Sequence, residues 1–161
     1  MEIMKPPSAE ASALANRLGS IFRDYPEIAA VYLFGSVARG TASASSDVDF
    51  GLLLDYGHSR AEVHRMLGAV AARLEAEIAP RPIDLVVLDE RRAPVFCHEV
   101  LLDGRLIYDG HSERRVDFES DTISRALDFR PTLELATRDR LEGFGRWLRN
   151  YRDRAPHRVT A

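Results

Sequence analysis

Two aspartates, Asp47 and Asp49, stand at the head of a run that alternates as a strand does, Val48-Asp-Phe-Gly-Leu-Leu-Leu54. Alternation puts Val48, Phe50, Leu52 and Leu54 on one face and Asp47, Asp49, Gly51 and Leu53 on the other. Side chains at i and i+2 lie on one side of a strand, roughly 6.5–7 Å apart. Two unpaired carboxylates placed so repel each other, and a cationic group is expected between them. Taken alone, an Asp-x-Asp is more often a solvated strand start. Whatever the chain folds into must contain a sheet, and it must explain this acidic edge.

The elements around it read as alternating helices and strands. After Ser8, a plausible N-cap, the apolar positions Ala11, Leu14, Leu18, Ile21 and Phe22 recur with helical spacing and stop before Pro26. Ile28-Ala-Ala-Val-Tyr-Leu-Phe34 is a short, apolar strand that ends at Gly35-Ser36. Ser59 and Glu62 have capping-box spacing, and Val63, Met66, Leu67, Val70, Leu74 and Ile78 form one helix face, broken at Pro80 and Pro82. Ile83-Asp-Leu-Val-Val-Leu88 is a third strand, Val95–Leu102 a short helix behind Pro94, and Leu106–Tyr108 a fourth short strand. From Ser112 the pattern is helical and charged, with Pro131 expected to divide two helices and Gly143 and Gly145 weakening the second. The expected architecture is α/β (α+β): a small mixed sheet with flanking helices in residues 1–110, then a helical C-terminal segment over 111–161, one domain overall.

Composition excludes more than it assigns. With 161 residues, 45% hydrophobic and 29% charged, the chain is sized for one globular domain. Its single cysteine, Cys97, excludes an internal disulfide. No apolar run approaches the roughly 18–20 residues of a membrane helix, and residues 1–7 lack the apolar region of a signal peptide. The expectation is therefore a cytoplasmic protein with no membrane contact. A net charge of −3 argues against stable nucleic-acid binding.

Three features are poorly explained by folding alone. Gly35-Ser36, directly after an apolar strand, lets the backbone turn sharply and offers amides and a hydroxyl to an anion, although such a pair is often a plain turn. Asp47 and Asp49 supply hard oxygen donors of the kind magnesium takes together with phosphate oxygens. Asp84 interrupts an otherwise apolar strand, a position that calls for pairing, hydrogen bonding or a metal; the alternatives are an exposed edge or an ion pair with Arg81. If the strands carrying Asp49 and Asp84 are neighbours, all three carboxylates meet at one end of the sheet. A phosphate-gripping turn facing such a group suits in-line nucleotidyl transfer with two metals about 3.5–4 Å apart.

Leu33-Phe-Gly-Ser-Val-Ala-Arg-Gly40, Ser46-Asp-Val-Asp-Phe50 and Ile83-Asp-Leu-Val-Val87 together resemble the DNA polymerase β-type nucleotidyltransferase superfamily. More narrowly they resemble its minimal nucleotidyltransferase (MNT) antitoxins, whose signature is glycine-serine, ten residues, then Asp-x-Asp. The resemblance spans residues 31–88 and implies a polymerase β-like fold. It implies an enzyme that moves AMP from ATP onto a tyrosine of a partner HEPN-domain ribonuclease toxin, silencing it. By motif position, Asp47 and Asp49 would bind two Mg2+ ions, and Asp84 would bind the catalytic ion and help activate the acceptor hydroxyl. Gly35 and Ser36 would hold the β/γ-phosphates of ATP, and Arg39 would steady the triphosphate. Two other readings fit the same residues: transfer to a small molecule such as an aminoglycoside, or a non-catalytic antitoxin that masks its toxin.

Other conspicuous residues point to packing. The five histidines (His58, His64, His98, His111 and His157) lack metal-ligand spacing, and Cys97 beside His98 is not a nucleophile–base pair, because helical neighbours diverge. Tyr32 is expected to pack rather than stack on a base. Residues 138–161 carry seven arginines against three acids, fitting either a solvated helix or a contact with the toxin or its RNA.

Overall fold

A computed structural model describes residues 9–137; the Ser8 cap, the arginine-rich segment, Gly143, Gly145 and His157 lie outside them. The chain runs through α1 (Ala9–Leu18), a 3-10 turn (Ile21–Asp24), β1 (Ile28–Phe34), α2 (Gly35–Arg39) and β2 (Val48–Leu54), then α3 (Arg60–Ile78), β3 (Ile83–Val87), α4 (Pro94–Asp103), β4 (Arg105–Asp109) and α5 (Ser112–Thr137). The first helical run is thus two elements, because the chain breaks at Gly19 and tightens before Pro26. All four expected strands form one mixed sheet in the order β3-β2-β1-β4. The pairs β1–β2 and β1–β4 are antiparallel, and β2–β3 is parallel, its crossover made by α3.

Sheet order explains the sequence patterns. β1 lies inside the sheet with both faces covered, so all seven residues are buried and it reads as one apolar run. In β2, Val48, Phe50 and Leu52 join Ile83 and Leu85 of β3 in the core against α1 and α3. On the other face Leu53, Val86, Tyr32 and Phe34 pack with Phe96, Cys97 and Val100 of α4 and Phe118 of α5. Ser59 caps α3 through the reciprocal bonds its sequence predicts: Ser59 N–H donates to Glu62 Oε2 at 2.7 Å, and Glu62 N–H to Ser59 Oγ at 3.3 Å.

α5 is tied to the sheet by polar contacts as well as by Phe118. The Tyr32 hydroxyl donates to Glu119 Oε1 at 2.8 Å, and Arg115 grips both oxygens of Glu119 while reaching Asp109 at 2.9 Å. Burial, and then the Glu119 bond, push the Tyr32 phenol far above its usual range, so it stays a neutral donor. Arg114 lies over the Tyr56 ring at 4.6 Å and pairs with the buried Glu90 at 3.6 Å. The expected break at Pro131 is corrected: α5 continues through it to Thr137. A proline withholds one backbone donor and crowds one carbonyl, which need not end a helix whose other bonds persist. Among the described residues no helix is long and apolar enough to cross a membrane.

Candidate functional site

The site begins where β1 ends. Phe34 is registered opposite Asp49 on β2, and the next residue, Gly35, takes a left-handed φ of 72°. That turn opens α2, five residues long, which closes at Gly40 (φ 71°), whose N–H returns to the Ser36 and Val37 carbonyls. Gly35 is needed for space as well as conformation. A Cβ there would run into the Asp49 carboxylate, 2.9 Å from its Cγ.

Asp47 immediately precedes β2 and is exposed, with no hydrogen bond or ion pair among the described residues. Asp49 is buried within the strand, at 9% exposure. Arg81 holds the connection leading to them: its Nε and a terminal nitrogen donate to the Ser46 carbonyl at 3.1 and 2.9 Å, and its other nitrogen pairs with Glu10. The Arg81 side chain is therefore engaged with Ser46 and Glu10. Parallel pairing sets Asp84 of β3 beside Asp49, so the two side chains lean to the same face of strands about 4.8 Å apart.

Gly35, Ser36, Arg39, Ser46, Asp47 and Asp49 line one cavity of about 550 Å3. Phe34 contributes to it from β1, and Phe96, Glu99, Val100 and Asp103 complete it from α4. Phe34 and Phe96 meet edge to face, 5.7 Å between ring centres. Five of the six residues expected from the sequence thus share a cavity. The sixth, Asp84, is 3% exposed and stands beside Asp49 without reaching the lining. Sequence reasoning missed the α4 wall. The available signal was the four-residue spacing of Glu99 and Asp103, which puts both carboxylates on one helix face.

The cavity is acidic: four carboxylates line it against one guanidinium, Arg39, which reaches Asp103 at 3.4 Å across two half-exposed side chains. Glu99 is raised above the usual carboxyl range, first by burial and then by the Asp103 charge, with Arg39 opposing. Cys97 lies behind this wall; burial pushes its thiol up to about 12, so it is not a nucleophile. Among the described residues no three His, Cys, Asp or Glu side chains are grouped to hold a metal ion. Two carboxylates on one cavity still fit magnesium, which binds through one or two carboxylates plus substrate phosphates and water.

The family model for Polymerase beta, Nucleotidyltransferase matches residues 16–113, more than half of the chain. The chain belongs to this family. As a nucleotidyltransferase it also carries the fold of several solved structures. A toxin–antitoxin MntA–HpeT mutant superposes with a TM-score of 0.60 at 24% identity over 78% of this chain and 96% of that one. A toxin–antitoxin complex with AMP-PNP gives 0.59, with the same identity and coverage. The complex of a tri-AMPylated Shewanella oneidensis HEPN toxin with an MNT antitoxin gives 0.53 at 22% identity, over 80% and 97% of the two chains. No curated protein matches the sequence. Within this nucleotidyltransferase, the Gly35-Ser36 turn and the Asp47/Asp49 pair line one cavity.

Proposed function

We propose that this nucleotidyltransferase is an MNT-type antitoxin that transfers AMP from ATP to a tyrosine hydroxyl of a partner HEPN ribonuclease toxin in the cytoplasm. The observation that carries the reading is the meeting of Gly35, Ser36, Asp47 and Asp49 in one acidic cavity. The structural neighbours support it: one is a complex with AMP-PNP, another holds a tri-AMPylated HEPN toxin beside an MNT antitoxin.

In this reading Ser36 and the α2 turn receive the β- and γ-phosphates, and Arg39 exchanges Asp103 for the triphosphate. Asp47 and Asp49 are the residues that would hold magnesium, with Asp84 supporting Asp49 from the next strand. Bound there, magnesium would neutralise phosphate charge and lower the pKa of the acceptor hydroxyl. The acceptor oxygen forms a bond to the α-phosphorus as the bond to the bridging oxygen breaks, and pyrophosphate leaves. The chain's own work is positioning and charge placement.

The test offers α-labelled ATP and magnesium to the protein with one of two acceptors: the protein encoded by the neighbouring gene, or an aminoglycoside. Label on a tyrosine of the neighbouring protein supports the proposal. Label only on the aminoglycoside, or protection from the toxin without any label, replaces it with small-molecule transfer or masking.

A further inference from the structure

We propose that the outer face of α5 is a docking surface for this chain's own C-terminal segment, residues 138–161. The inference does not depend on the transfer reaction, because it concerns a surface that the cavity does not include.

α5 carries two apolar faces, and the body of the fold covers one. Phe118, Thr122 and Ala126, spaced four apart, are buried, Phe118 in the cluster shared with α4 and the sheet. Val116, Ile123 and Leu127 recur at spacings of seven and four, about 120° round the helix from that face. They are 50%, 47% and 53% exposed. Exposed apolar side chains scattered singly are ordinary. Three on one stripe, with Ser120 completing it, are the mark of a face that something covers.

Charge selects the occupant. Glu113, Asp117, Asp121 and Asp128 are exposed along one side of the stripe and form no ion pair among the described residues. Against them the same stretch exposes Arg125, while Arg114 and Arg115 are committed to Glu90, Asp109 and Glu119. The occupant must therefore be apolar and basic. A second copy of α5 would set acid against acid. The segment beyond Thr137 has both properties. Leu141, Phe144, Leu148 and Tyr151 fall at i, i+3, i+7 and i+10, the spacing of one helix face, and arginines outnumber acids seven to three over 138–161. The segment starts where α5 ends, about 15 Å along the helix from Leu127, so a chain that reverses there reaches the stripe without a long linker. Apolar burial supplies the attraction, and the exposed charge pairs, each worth little, choose the partner.

Trp147, the single tryptophan, lies three residues after Phe144 and four before Tyr151, so its fluorescence reports the docking. The experiment records its emission maximum and its quenching by acrylamide in the full-length protein. It compares wild type, Ile123→Glu/Leu127→Glu and Asp117→Arg/Asp121→Arg, with circular dichroism showing which are folded. Wild type should emit to the blue of free tryptophan and resist the quencher, and should still do so when diluted to a monomer, as light scattering checks. Both variants should shift the emission to the red and admit the quencher, the apolar pair more than the charge pair. Should the apolar pair fail to fold, the charge pair alone decides. Wild-type Trp147 as open to the quencher as free tryptophan overturns the proposal, and so does shielding that the folded variants leave unchanged. Shielding lost on dilution assigns the stripe to a second copy, and shielding that appears only with the neighbouring-gene protein assigns it to that partner; either result overturns the intrachain contact.

Discussion

The backbone of Gly35 turns through a left-handed φ of 72° directly against the carboxylate of Asp49, in the space where any other residue would place a Cβ. One glycine therefore permits both the turn into α2 and the adjacent carboxylate. Gly35→Ala meets two penalties, the left-handed conformation, worth about 1–2 kcal/mol, and displacement of Asp49. It should lower the unfolding midpoint by several degrees and reduce nucleotidyl transfer more than about tenfold. Gly57 is the control: its φ is 87°, but nothing lies within 4 Å of an added Cβ. Gly57→Ala should show the stability loss with transfer unchanged, as thermal unfolding and labelled-ATP assays on both variants would reveal.

Arg81 governs Asp47 at one remove, because it holds the carbonyl of Ser46, the residue before it. Substitutions of groups that orient metal ligands typically change affinity by about 10–100-fold. Arg81→Met should weaken magnesium-dependent ATP binding by at least about tenfold in a calorimetric titration. ATP binding without magnesium should change far less. An equal loss in both titrations would assign Arg81 to general stability.

What a sequence can disclose here depends on how local the determinant is. Gly35, Ser36, Asp47 and Asp49 fall within fifteen residues, where strand alternation and turn chemistry act on neighbours, so their convergence is readable without coordinates. Asp84 is reached by one further step, the inference that its strand adjoins β2, and the register beside Asp49 bears that adjacency out. Glu99 and Asp103 are a different matter. Their place on the cavity depends on α4 covering the Phe34–Asp49 face, and no local pattern in Pro94–Asp103 specifies which face it covers. Pro131 misleads for the opposite reason: a local rule about proline yields to a helix that continues on both sides.

Asp55 gives the fold a pH dependence away from the cavity. Burial pushes its carboxyl up, but bonds from the Tyr56 backbone and from His111, 2.5 Å away, together with the imidazole charge, outweigh burial and leave it lowered. The unfolded chain therefore binds this proton more readily than the native one. The stabilisation is complete above the ordinary aspartate value of about 3.9 and is lost as pH falls through the lower native value. Asp55→Asn should lower the unfolding midpoint at pH 6 and flatten the decline below about pH 4. Thermal unfolding across that range checks both.

In the proposed reaction the Gly35-Ser36 turn and the Asp47/Asp49 pair form the transfer site. Its most direct measurement is AMP incorporation into the neighbouring-gene protein by Asp47→Asn/Asp49→Asn beside wild type, with circular dichroism confirming that both are folded. Incorporation by wild type and its loss by at least about a thousandfold in the folded double variant is the predicted result. Undiminished incorporation by the double variant would contradict the account.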